Sequence, residues 1–110
     1  MGATVFIGYS KDKSLHATLN RKASDAVEML FDDVLREKKT KIHEEVMEML
    51  VLDQISFVDL SKDDFNMVIE AVRCYFFRLD SLTEWQSFQK YIWEEILAPL
   101  FEQDERYQLT

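Results

Sequence analysis

Residues 60–79, LSKDDFNMVIEAVRCYFFRL, decide how the rest of the chain is read. Phe65, Val68, Ile69, Val72, Phe76 and Leu79 recur at spacings of three and four, which is one face of an α-helix. Ser61 stands where an N-cap belongs, with a hydroxyl to accept from an orphan N–H of the first turn. Asp64 takes the place of the Glu in a capping box, and Leu60 and Phe65 occupy the two positions of a hydrophobic staple. Met67, Cys74 and Phe77 lie off the stripe. A helix apolar on more than one side is usually enclosed by neighbours. The stretch is therefore expected to be the central helix of a small bundle, with Cys74 packed in the core as an inert thiol.

The composition suits that expectation. With 110 residues, 47% apolar and 13% aromatic, the chain can build one domain around its own core. Two glycines and one proline leave little turn chemistry for an all-β fold. The lone Cys74 has no internal disulfide partner, which fits a reducing compartment. The start, MGATVFIGYS, lacks the basic flank and apolar length of a secretory signal. No stretch approaches the roughly 20 apolar residues that span a bilayer. A cytoplasmic protein without membrane contact is expected.

The net charge of −8 is unevenly spread. Residues 1–41 hold 8 Lys/Arg against 6 Asp/Glu, a net +2, and residues 42–110 hold 5 against 15, a net −10. Such a balance repels phosphates, so nucleic acid is not expected as a partner. A basic protein is a better match, although acidic surface also serves solubility alone.

Along the chain, TVFIGY at residues 4–9 reads as an apolar extended arm or a first helical turn, because no convincing second strand follows. Residues 15–37 keep a 3.6 period through Leu15, Leu19, Ala23, Ala26, Val27, Leu30, Phe31, Val34 and Leu35. A break near Asn20, with a new cap at Ser24 or Asp25, is an alternative. The basic run Arg36, Lys38, Lys39 and Lys41 suits the negative end of that helix. Residues 42–52 form a further helix on Ile42, Val46, Met49 and Leu50, and residues 53–59 an apolar loop tucked on the core. Ser81 and Glu84 make a capping box for a last helix over about 82–98, which Pro99 ends or kinks. Residues 102–110 read as an acidic, frayed tail. The sum is an all-α fold: one domain over 1–110, with four or five helices around the segment at 61–79.

Motifs for catalysis are missing. His16 and His43 lack a Glu three residues before them, no second cysteine exists for zinc, and residues 53–64 fail the calcium-loop pattern. There is no Gly-rich phosphate loop. No enzyme activity, cofactor or metal is expected. Three carboxylate groups near aromatic or apolar residues remain as candidate partner-binding sites. They are Glu44, Glu45 and Glu48; Asp53, Asp59, Asp63 and Asp64; and Glu84, Glu94 and Glu95 with Tyr91 on the last helix, beside Trp93. For Asp63 and Asp64 the helix dipole is already a sufficient reason.

The segments VDLSKDDFNMVIEAVRCYF and LTEWQSFQKYIWEEILAPL, within residues 58–100, resemble immunity proteins of bacterial contact-dependent growth inhibition systems. Leu60, Ser61, Asp63, Asp64 and Phe65 carry the likeness, followed by Val68, Ile69, Ala71, Val72 and Arg73, and then by Thr83, Glu84 and Trp85. The resemblance implies a stoichiometric inhibitor that binds the C-terminal toxin domain of a delivered effector, often a basic nuclease. It carries over no catalytic residue. The alternative expectation is an acidic regulatory or adaptor protein with a non-toxin partner. Either would be a monomer or a weak dimer, with Phe77 serving the dimer or the core.

Overall fold

Two paired strands open the chain where the helical reading placed an arm and the start of a long helix. The computed structural model describes residues 2–36 and 40–108. β1 (Thr4–Ser10) and β2 (Lys13–Thr18) form an antiparallel hairpin. Its two-residue turn holds Lys11 at a left-handed φ of 58°, which such turns require and which Gly or Asn more often supplies. β3 (Gln54–Ser56) runs parallel to β1 on its other side, so the sheet order is β2-β1-β3. The protein is thus α+β with a mixed sheet, and the all-α expectation is corrected. From Ser14 onward β2 alternates. Leu15 is buried, Ala17 half-buried and Leu19, just past the strand, buried, while Ser14, His16 and Thr18 are exposed. The four-residue step from Leu15 to Leu19 fits a helix equally well. Pairing decides, because the fully buried Val5 and Ile7 need a sheet whose backbone groups are satisfied.

The helices follow the predicted stripes more closely than the predicted ends. α1 (Arg21–Leu35) starts at Asn20, whose side chain accepts from the Ala23 N–H at 2.8 Å, so neither Ser24 nor Asp25 is the cap. α2 (Thr40–Met47) is short and is followed by a 3₁₀ turn at Leu50–Leu52. Lys38 and Lys39 of the basic run lie outside the described residues. α3 (Lys62–Arg78) has the expected start: the Ser61 hydroxyl accepts from the Asp64 N–H at 3.2 Å, and Leu60 and Phe65 are both buried. α4 (Glu84–Ile92) is capped by Thr83 with Gln86, in place of Ser81 with Glu84. A π turn at Trp93–Leu97 then leads into α5 (Ala98–Gln103). Pro99 does not end the helix, which continues through it to Gln103. Proline has no N–H and crowds the carbonyl four residues back, and the wider turn just before it relieves both problems.

The core is aromatic at its centre. Phe57 meets Phe31 of α1 and Phe101 of α5, with ring centroids 4.9 and 5.0 Å apart. Phe65 of α3 and Trp93 of the π turn also reach Phe101, at 5.2 and 5.1 Å. Each buried ring contributes about 1.5–3 kcal/mol through the area it removes from water. The buried Gln89 donates to the Ala26 carbonyl at 3.0 Å and ties α4 to α1.

Of the segment expected to fray, residues 102–108 are instead clasped to the body, and residues 109 and 110 lie outside the described residues. Asp104 is buried, and its carboxylate accepts from Arg106 Nε at 2.9 Å and from the Tyr9 N–H at 3.2 Å. The Arg106 guanidinium also donates to the carbonyls of Ile7, Phe57 and Leu60, at 2.8, 2.9 and 2.8 Å. It lies 4.1 Å over the Phe65 ring. Asn66 of α3 adds bonds to the Arg106 carbonyl and the Gln108 N–H. Gly8 sits against this pair. A Cβ there would fall 1.9 Å from Asp104 Oδ2.

Candidate partner-binding surface

The reading of α3 as enclosed on more than one side is also corrected. Phe77 is 90% exposed, and Cys74 is exposed as well. The stripe from Phe65 to Phe76 packs inward, with Met67, Tyr75 and Leu79 half-buried against the core. Two surfaces result, each joining exposed apolar groups to carboxylates.

The first lies between α2 and β3. Val51 is 87% exposed, Leu52 58% and Met49 38%. The turn that carries them is closed by backbone hydrogen bonds. The Leu52 N–H donates to the Met49 carbonyl at 2.9 Å, Asp53 to Leu50 at 2.9 Å, and Gln54 to Met49 at 3.2 Å. Asp53 has a left-handed φ of 58°, and its carbonyl accepts from the Thr4 N–H at 3.0 Å, which ties the turn to the sheet. Exposed Glu48 and Asp53 flank the turn, Glu44 is exposed one helical turn before Glu48, and Glu45 is half-buried. Among the described residues none of these four carboxylates is in an ion pair. Sequence reasoning found the acids but missed the apolar tip. The signal was present: Val51 and Leu52 fall off the stripe of Ile42, Val46, Met49 and Leu50.

The second surface is a hollow of about 430 Å³ between α3 and the end of the last helix. Phe76, Trp93 and Ala98 line it with Phe77, and Arg73, Lys90, Glu94 and Glu102 supply its charged groups. Phe76 and Phe77 are neighbours about 100° apart around α3, which puts one ring inward and one out. The π turn buries Trp93 and leaves Glu94 and Glu95 exposed. Arg73 is held by the Tyr107 hydroxyl at 3.2 Å and lies 4.0 Å from Glu102. A smaller hollow of about 230 Å³ adjoins the first through Lys90 and Glu94, and includes Leu82, Tyr91 and Glu95.

The remaining predicted residues lie elsewhere. Asp59 is exposed before α3, and Asp63 and Asp64 occupy its first turn, where the helix dipole accounts for them. The three predicted groups therefore do not merge into one site. Trp93 is buried, and Trp85 is half-buried against the core. His43 Nε2 lies 2.7 Å from Asp32, which also pairs with Arg36, and this contact joins α2 to α1. Among the described residues no three His, Cys, Asp or Glu side chains converge to hold a metal ion. No helix among them is long and apolar enough to cross a membrane. No protein-family model, curated protein or solved structure matches the chain.

Proposed function

We propose that the protein is an immunity factor that captures a basic toxin domain by stoichiometric contact, with residues 48–53 as its leading contact. The observation that carries this reading is the exposed apolar tip Val51–Leu52, on a hydrogen-bonded turn set among Glu44, Glu48 and Asp53. A backbone already held by its own hydrogen bonds has less conformational entropy to lose on docking. Carboxylates around them favour a partner whose apolar cleft is rimmed by Lys or Arg, and they speed its capture. The acidic half of the chain, net −10 over residues 42–110, adds to the steering field. The likeness of residues 58–100 to immunity proteins supports the choice of a toxin. Those residues build α3 and α4, the frame of the molecule.

The test is a pull-down with the polypeptide encoded immediately upstream, at low and high salt, together with protection of cells that express it. Tight one-to-one capture, weakened by salt and lost in Val51→Asp with Glu48→Lys, is the expected result. No capture by a well-folded sample would end the toxin reading. Capture of a different, non-toxic basic protein through the same turn would make this an adaptor instead.

A further inference from the structure

The hollow beside Phe77 differs from the acidic turn in charge. Its charged groups, Arg73, Lys90, Glu94 and Glu102, are two of each sign, in a chain of net −8. The acidic turn at residues 48–53 and the overall net charge oppose the approach of a second copy. Here the charges balance, and each sign has its opposite within the same patch. The shape is balanced in the same way. An aromatic ring that is 90% exposed stands at the rim of a hollow with Phe76 and Trp93 among its lining residues. Projection and recess therefore share one patch. An interface with two-fold symmetry requires that, because the same surface must fit itself.

We propose that this patch seats a second copy of the chain, each Phe77 ring entering the other copy's hollow and each Lys90 facing the other copy's Glu94. Association buries two aromatic rings that are otherwise in water, and aromatic anchors at the centre of an interface contribute most of its free energy. The patch shares no residue with residues 48–53, so the inference stands whether or not the partner of that turn is a toxin.

Sedimentation equilibrium of the full chain, from micromolar to millimolar concentration, tests the proposal. A monomer–dimer equilibrium is expected. Phe77→Glu should weaken it by about a hundredfold or more, the loss of one hot-spot residue in each copy. Folding is not at issue in that variant, because the ring is almost wholly exposed. Lys90→Glu and Glu94→Lys should each weaken the dimer by about tenfold, and the two together should restore it. A chain that stays monomeric at millimolar concentration overturns the proposal. So does a dimer that Phe77→Glu leaves intact, or a double charge swap no better than its single components.

Discussion

Removing Arg106 should cost this small protein a large part of its stability. Its guanidinium pairs with Asp104 and donates to the carbonyls of Ile7, Phe57 and Leu60, so one side chain joins β1, the segment before α3, and the C-terminal segment. The side chains of Arg106 and Asp104 are 18% and 2% exposed. Arg106→Ala would strand a buried carboxylate that keeps only two backbone donors, the N–H groups of Tyr9 and residue 106. Breaking a buried pair in this way costs about 3–5 kcal/mol. Total stabilities are about 5–15 kcal/mol. Asp104→Asn is the informative contrast. The guanidinium would keep its carbonyl acceptors, so the loss should be smaller, about 2 kcal/mol. Urea unfolding followed by tryptophan fluorescence measures both. With a slope of roughly 1–3 kcal/mol/M, Arg106→Ala should lower the midpoint by about 2 M. A loss below about 1 kcal/mol, typical of an exposed pair, would refute the argument. So would a greater loss in Asp104→Asn than in Arg106→Ala.

Three other predictions follow from the same geometry. Gly8→Ala should destabilise by about 1–3 kcal/mol, since its Cβ would meet Asp104 Oδ2 at 1.9 Å; thermal melts should show less than additive loss when it is combined with Asp104→Ala. Cys74 is exposed, so a thiol reagent should modify it in the native protein nearly as fast as in urea, and strong native protection would contradict its placement. Val51→Asp should change stability by no more than about 0.5 kcal/mol, because Val51 is 87% exposed, yet abolish capture of the proposed partner in a pull-down.

The sequence by itself determined the helical frame. Ser61, its staple and the stripe from Phe65 to Phe76 define α3, because a cap and a 3.6 period are complete within a few residues. The same holds for the inner face of α1. It determined the acidic character of the chain and the candidate carboxylates, but not which of them stand beside exposed apolar groups. Tertiary structure alone decided the rest. Leu15 and Leu19 fit a strand or a helix equally well until Val5 pairs with Ala17 on one side and Ile55 on the other. β3 is three residues long and is a strand only because β1 lies beside it. Arg106 reads as a tail residue until the fold brings it to the carbonyl of Ile7, 99 positions away in sequence. The exposure of Phe77 depends in the same way on which helix faces acquire neighbours. Strand pairs and buried ion pairs take their free energy from groups far apart in the chain, so no local window contains both halves of the interaction.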